Sequence, residues 1–424
     1  MAFFLSGKSA IIRTQLAVNF NSCQERDALF MWKRTLLAAA IGFTGGTSHA
    51  DFFQDYMIDP EDGMLDSSRF LSELPMSFMP VPVVITEPAV GNGLGVMGIF
   101  FHESEEQKQM RVEGNAPSIL PNNISVLGLM GTENGSRGIA AGHIGFWRDD
   151  TIRYRGFALL PDLNLDFYNF AGRTLDRPIE LNVKGPAAVQ ELKFRMGESR
   201  WMLGARQVYR QVELDLVEDI KLPSPRLSQV VNRFLDEQLG DRIHTSGLGL
   251  LAEYDSRDSP LSPQSGLYYN ANYVWYNDSL GSDVDFGSYT LQGLNYWKVN
   301  DKFNFALRMQ YDGIEAGDST RLPPYVLPYV DLRGIPAVRY QGKAVAVAEV
   351  EATWKPTLRW RFNAFTGGGR AAESASELSD AEVANNYGAG FRYLVARRYG
   401  MTMGIDVARG PEDTAWYIQA GSSW

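Results

Sequence analysis

Cysteine is nearly absent from this chain of 424 residues. The only one, Cys23, lies in the first fifty residues, so disulfide bonds and thiol chemistry are excluded from Asp51 onward. Histidine is also scarce: beyond position 50 there are only His102, His143 and His244, and their spacing matches no metal-binding motif. The sequence therefore predicts no metal ion and no cofactor.

Long apolar runs are missing as well. No stretch of eighteen apolar residues occurs, which excludes a membrane-spanning helix. The formal net charge of -10 argues against nucleic acid as a partner. Beyond the first fifty residues, the apolar residues occur singly or in short runs.

The first fifty residues have the pattern of an export signal. A basic start at 31–34 is followed by about eleven apolar residues and then by small residues ending at Ala50. We expect a leader over 1–50, with a signal peptide at 31–50 that is cleaved after Ala50. The acidic segment 51–79 is too short for an independent domain, so we expect a short periplasmic segment before a barrel over 80–424.

Strand periodicity is clearest in the second half of the chain. From Phe303 to Asp312 the odd positions are apolar or aromatic, whereas the even positions are mostly polar. The same alternation recurs over 358–364 and 401–408. A half-buried soluble sandwich would alternate too, but these strands are long and carry Tyr and Trp near their ends, as in membrane barrels.

The pattern predicts an all-β fold, a transmembrane antiparallel β-barrel of about sixteen strands with long external loops. One of these strands covers 179–196, where Gly185 and Pro186 indicate a bulge or a split. Within the loop 217–245, apolar residues at helical spacing predict a short helix. The link 104–121 is long where a short turn is expected, and the sequence gives no reason for it.

Four segments resemble the BamA/TamA outer-membrane insertase superfamily, also called the bacterial surface antigen family. Residues 84–95 look like the opening hairpin of its barrels, and 254–258 are similar to the turn between the eighth and ninth strands. Residues 329–335 resemble the Val-Arg-Gly-Phe signature of its long inward-folding loop. The end of the chain, with Gly421 and the final Trp424, looks like its C-terminal insertion signal.

The resemblance implies a role for the loop motif Leu332-Arg333-Gly334-Ile335. In the family the matching arginine docks on acidic groups of the inner wall, and here that arginine is Arg333. A guanidinium in a confined lumen needs acceptors for its five donors. Strand alternation points three carboxylates inward as candidates: Glu349, Glu351 and Asp406. An acidic residue that the family often has at the position of Gly367 is missing here.

The resemblance also implies a function in the bacterial outer membrane, that of a short member without polypeptide-transport repeats, assisting protein or lipid assembly or translocation. The alternative is a passive channel or a structural outer-membrane barrel without insertase activity. The expected partners are the lipid bilayer of the outer membrane and the barrel-assembly machinery for the chain's own insertion, and the sequence identifies no client.

An enzyme is not expected. Ser125 and His143 lie on neighbouring predicted strands, but such pairs are common by chance. Weak packing is expected instead between the first strand, with Pro82 and Pro88, and the last one, with small residues at 421–423. Opening of this seam is the mechanism that would distinguish an assembly function from a passive barrel.

The leader can be tested by sequencing the N-terminus of the exported protein. We expect it to begin at Asp51, because the small residues at positions 48 and 50 suit a signal peptidase. A mature protein that retained residues 31–50 would contradict the predicted cleavage.

Overall fold

The structure is a computed structural model that describes residues 54–73, 78–102, 109, 123–170, 173–218, 226, 228–229, 232–233, 242–259, 262–317, 320–397 and 400–424. The predicted leader, the link 104–121 except residue 109, and most of the predicted helix in the loop 217–245 lie outside these residues.

The described strands form a single antiparallel sheet, which confirms the all-β prediction. One short helix, α1 (Ser68–Glu73), precedes them. Strands that follow one another along the chain pair with each other, apart from the sixth and the seventh. The seventeen strands described are β1 (Phe78–Ile85), β2 (Gly93–His102), β3 (Asn123–Thr132), β4 (Arg137–Trp147), β5 (Ile152–Phe170), β6 (Arg173–Lys184), β7 (Ala187–Arg195), β8 (Trp201–Leu216), β9 (Ile243–Asp255), β10 (Gly266–Tyr276), β11 (Phe286–Lys298), β12 (Phe303–Glu315), β13 (Ala344–Trp354), β14 (Trp360–Ala372), β15 (Ala384–Ala396), β16 (Met401–Arg409) and β17 (Thr414–Ala420).

The strand expected over 179–196 is split at Gly185 and Pro186, which confirms the split that these two residues indicated. Gly185 has a φ of 126°, and a Cβ there would lie 2.1 Å from the carbonyl oxygen of Gln211. Both β6 and β7 pair with β5 on one side and with β8 on the other, so they lie end to end in one position of the sheet. The sheet is therefore sixteen positions wide, in agreement with the expected strand number.

The two faces of the sheet differ as the alternation predicts. Along β12 the exposed residues include Phe303, Phe305 and Met309, whereas Asn304 and Arg308 between them are buried. The apolar face is the outer one, and the polar face encloses the interior. Among the helices described, none combines the length and the hydropathy that a bilayer crossing requires.

The loop 316–343, between β12 and β13, occupies much of that interior. Its residues Tyr325, Val326 and Tyr329 are almost fully buried, in one apolar cluster with Leu165 of β5 and Leu181 of β6. Because this cluster joins a loop to the inner wall, the loop is a packed part of the fold and not a surface connection.

A second inward connection lies at the opposite end of the strands. Arg359, in the turn between β13 and β14, is 3% exposed and is paired with three carboxylates of the N-terminal segment. The guanidinium donates to Asp59 Oδ2 at 2.6 Å, Asp62 Oδ2 at 2.6 Å and Asp66 Oδ2 at 2.5 Å. The backbone N–H of Ser67 also donates to Val395 O at 2.6 Å. The N-terminal segment 54–73 is thus fixed to the turns of β13–β16.

We expect acidic pH to detach the N-terminal segment 54–73 from the turns of β13–β16. The hydrogen bond from Arg359 lowers the pKa of Asp62, and the pKa of Asp66 is also lowered, since hydrogen bonds with Ser68 and Arg359 outweigh the opposing effect of burial. For a carboxyl group with a lowered pKa, the stabilisation is present above its ordinary value of 3.8 and is lost as the pH falls through the folded value. We expect pepsin to cut within 54–73 only at acidic pH below about 4.

Substitution should produce the same release at neutral pH. We expect Arg359→Gln to expose 54–73 to a neutral protease, because it removes the one cation shared by all three carboxylates. Arg370→Gln is the matched control, since Arg370 lies on β14, the strand that follows the turn of Arg359, but donates to the carbonyl oxygens of Leu378 and Ser379. Equal protection of 54–73 in wild type and Arg359→Gln would exclude the proposed attachment.

Candidate functional site

A tight turn in the loop 316–343 carries Arg333 to the inner wall. The N–H of Ile335 donates to the carbonyl oxygen of Leu332 at 3.2 Å, and Gly334 has a φ of 85°, as the third residue of a type II turn requires. A Cβ on Gly334 would lie 2.8 Å from the backbone nitrogen of Gly410. Gly334 is therefore needed both for its conformation and for its close approach to the wall.

Arg333 reaches all three carboxylates that the alternation pointed inward. Its Nε donates to Glu349 Oε1 at 3.2 Å, and its Nη1 donates to Glu351 Oε2 and to Asp406 Oδ2, both at 2.9 Å. The side chains of Arg333, Glu349 and Asp406 are at most 2% exposed. Buried ionic groups of this kind are tolerated only when paired and hydrogen-bonded.

A second arginine shares the acidic cluster. Arg392 on β15 donates to both oxygens of Asp406, at 2.7 and 2.8 Å, in a bidentate pair. Arg333 and Arg392 thus face the three carboxylates Glu349, Glu351 and Asp406 together. We call these five residues the Arg333 cluster; its formal charge is −1.

The position of Gly367 explains how the cluster does without the acidic residue common in the family. Gly367 pairs with Asn386 of β15, and a Cβ at this position would lie 3.0 Å from Asn386 Oδ1 and 2.5 Å from the carbonyl oxygen of Ala348. Asn386 Nδ2 donates to Glu349 Oε1 at 2.8 Å and to the carbonyl oxygen of Arg333 at 2.9 Å. An asparagine from the neighbouring strand therefore binds both the loop and a wall carboxylate here.

Phe365 contributes a further contact that the sequence did not predict. The guanidinium carbon of Arg333 lies 3.3 Å from the centroid of the Phe365 ring, which is itself buried. A cation over an aromatic face gains about 2 kcal/mol or more when it is desolvated. Phe365 is thus a stacking platform for the arginine, and its neighbour Gly367 leaves room for Asn386.

The end of the chain joins the Arg333 cluster instead of continuing the last strand. The strand expected over 414–424 ends at Ala420, and Gly421, with a φ of 80°, turns the chain inward. Ser423 Oγ accepts a hydrogen bond from Arg333 Nη1 at 3.1 Å, and Trp424 Nε1 donates to Glu349. Trp424 is 3% exposed, so the predicted insertion signal is buried in the folded barrel.

The loop also binds both edges of the sheet. The N–H of Gly334 donates to the hydroxyl oxygen of Tyr417 on β17 at 2.6 Å, and that of Ala337 donates to Glu87, directly after β1, at 3.3 Å. Thr86 donates to the carbonyl oxygen of Trp416 on β17 at 3.1 Å. The loop 316–343, the residues that follow β1 and the last strand β17 are therefore joined by hydrogen bonds close to Arg333.

Comparisons with known proteins show which proteins this fold resembles. Residues 190–330 match the model of the Omp85 superfamily domain. BamA from Haemophilus ducreyi lacking POTRA domains 1-3 is similar in structure, with a TM-score of 0.53 at 12% identity over 81% of this chain and 70% of that one. CdiB from Escherichia coli (TM-score 0.52, 12% identity) and CdiB from Acinetobacter baumannii (0.50, 12%) also match 81% of this chain.

These matches confirm the resemblance to BamA/TamA-type barrels, and at this identity the structural likeness concerns the fold alone. The chain spans 62% of the Escherichia coli CdiB chain and 59% of the Acinetobacter baumannii one. Comparison with curated proteins gives no match.

The Arg333 cluster should dominate the stability of the folded barrel. We expect Arg333→Ala to destabilise it by about 3–5 kcal/mol, because the substitution leaves buried carboxylates without their cation. The measurement is thermal unfolding of the purified protein, followed by the heat-dependent shift of its gel mobility. Arg339→Ala is the matched control: Arg339 lies in the same loop, but its pair with Glu412 is more exposed. Equal melting temperatures of the two variants would contradict the assigned role.

Proposed function

Because the chain carries an Omp85 superfamily domain, we propose that it is an outer-membrane barrel that assists the assembly or translocation of proteins or lipids at that membrane. The observation that carries this proposal is the loop held by Arg333, which contacts both the turn after β1 and the last strand β17. A loop in this position can couple the state of the interior to the state of the seam.

The seam between β1 and β17 is weaker than the rest of the sheet. Consecutive strands have a hydrogen-bonded register, apart from β6 and β7, which lie end to end. Within the described residues no strand pairing joins β1 to β17. Pro80 and Pro82 of β1 have no N–H to donate, and the chain leaves β17 at Gly421. Separation of these two strands would therefore break few backbone hydrogen bonds.

The filled interior supports this function over that of a passive channel. Tyr325, Val330 and Leu332 of the loop are buried inside the barrel, and Arg308 of β12 donates to the backbone carbonyl and the carboxylate of Asp331, both at 3.0 Å. A solute would have to displace a packed loop that is fixed by two buried arginines. The passive channel remains the alternative that the conductance experiment distinguishes.

Several further features belong to the same proposal. The chain is delivered by a cleaved signal peptide, inserted by the barrel-assembly machinery and exposed to lipid on its outer face, and residues 51–79 lie on the periplasmic side. The proposed action is mechanical, without covalent chemistry, metal or cofactor. The activities of BamA and CdiB are those of longer proteins, so the client of this chain is left open.

Conductance across a planar bilayer tests whether the loop closes the interior. We expect the wild type to give low, flickering conductance and Arg333→Ala to give large, steady conductance, because the loop loses its anchor. Arg339→Ala should behave as the wild type does. A large steady pore in all three proteins would favour the passive channel.

A cross-link tests whether the seam opens. The chain beyond position 50 has no native cysteine, so Thr86→Cys with Trp416→Cys introduces a pair only at the seam. The control pair, Val96→Cys with Leu129→Cys, joins residues that are already register partners on β2 and β3. We expect the seam cross-link to abolish rescue of a deletion strain until it is reduced, whereas the control cross-link should have no effect. Full rescue by the cross-linked seam would rule out seam opening.

A further inference from the structure

Three polar side chains lie in a row on the outer face of the first strands. His102 of β2, Ser125 of β3 and His143 of β4 are joined by two hydrogen bonds, His102 Nε2 to Ser125 Oγ and Ser125 Oγ to His143 Nδ1, each 2.9 Å long. Ser125 is the register partner of His143, and the two imidazoles lie on either side of it. Strand order alone predicted that Ser125 and His143 lie on neighbouring strands, but it did not predict that His102 joins them, because the three residues are 18 to 41 positions apart.

This polar row differs from most other outward-facing residues of the same strands, which are apolar. The outward residues farther along the same strands include Leu94, Val96, Leu127, Leu129 and Ile139, all well exposed as lipid-facing residues are. Polar groups on such a face are costly unless they have a partner or a ligand.

Aromatic residues place the row near the level of the membrane interface. The indole N–H of Trp147 donates to Asn123 Oδ1 at 2.7 Å, and the Trp147 ring stacks on Tyr154 at a centroid distance of 5.8 Å. Tyr154 in turn lies 6.0 Å from the His143 ring. Trp and Tyr with polar tips are typical of the interfacial belt, where water and dissolved ions have access.

The spacing of the two imidazoles suits a shared metal ion. A ligating nitrogen lies about 2.0–2.1 Å from a bound zinc ion, which places the centroid of its ring about 3.2 Å from the ion. Two rings on one ion are therefore about 5.2 Å apart at a tetrahedral angle and up to about 6.4 Å apart when they are opposite each other. The centroids of His102 and His143 are 6.1 Å apart, so an ion with a wide angle between its two nitrogen ligands fits this spacing.

We propose that His102 and His143 bind a divalent transition-metal ion on the outer face of the barrel, with the hydroxyl of Ser125 beside it. Neutral imidazole is a preferred ligand of Cu²⁺ and Zn²⁺, and Cu²⁺ binds such sites more tightly than Zn²⁺ does. Both ring nitrogens that now face Ser125 would present lone pairs to the ion, so the histidine that donates to Ser125 changes its tautomer. Water completes the coordination.

The proposed metal site has only two protein ligands, which leaves its other coordination positions open to water. Among the described residues no group of three or more His, Cys, Asp or Glu side chains could hold a metal, so protein ligation rests on the two imidazoles. An ion bound here would tie β2 to β4 across β3, directly beside the seam strand β1. It would thereby stiffen the edge of the sheet at which opening is proposed, although the binding itself does not depend on that function.

The test uses Cu²⁺ as the probe and the mature protein in detergent, purified with a tag that contains no histidine. Electron paramagnetic resonance of one equivalent of Cu²⁺, with electron spin-echo modulation, counts the imidazoles bound to the ion. We expect two in the wild type, and we expect Zn²⁺ to compete for the same site. His102→Asn and His143→Asn should each lower the affinity by about tenfold or more and reduce the count to one.

His244→Asn is the matched control, because His244 is the third histidine of the mature chain and pairs with Asp283 away from this row. It should leave both the count and the affinity unchanged. Retention of wild-type affinity in His102→Asn or His143→Asn would overturn the proposal, and so would loss of the signal in His244→Asn. Failure of wild type to bind Cu²⁺ would also overturn it and would mean that the three side chains only satisfy one another.

Discussion

The pairing of a buried guanidinium with carboxylates from distant strands is the interaction on which the rest of the barrel depends. Arg333 is carried by a loop, Glu349 and Glu351 by β13, and Asp406 by β16, and the tail of the chain adds Ser423. A charge taken out of water is stable only when all of its partners are in place. The docked loop, the closed interior and the inward tail are therefore parts of one arrangement.

The N-terminal segment is held by the same kind of interaction at the other end of the strands. Arg359 faces three aspartates as Arg333 faces three carboxylates, but the aspartates come from outside the sheet and the side chain of one of them, Asp62, is 29% exposed. Exposed ion pairs contribute little, whereas buried ones cost several kcal/mol when one partner is removed. The partly exposed pair of Arg359 with Asp62 thus contributes least, whereas the buried pairs of both arginines are costly to break.

Backbone hydrogen bonding between neighbouring strands is not uniform around the sheet. Sixteen positions are joined by backbone hydrogen bonds, while the first and last strands meet through side chains and through the loop. The seam opening proposed above would need this asymmetry, since a uniform ladder has no preferred place to separate. Glycines and prolines mark the irregular points: Gly185 and Pro186 interrupt one strand, Pro80 and Pro82 weaken the first, and Gly421 ends the last.

Alternation of apolar and polar residues was by itself sufficient to identify the strands, the outer face and the inward carboxylates, because side chains of a strand point to opposite faces with a period of two. It could not place the break at Gly185, the inward turn of Trp424 or the stacking of Phe365 on Arg333, since these depend on close approach between chain segments. Nor could alternation predict that His102 lies near His143, or that Arg359 pairs with aspartates almost 300 residues away. Local periodicity determines which face a residue occupies, and only the closed sheet decides which residues meet there.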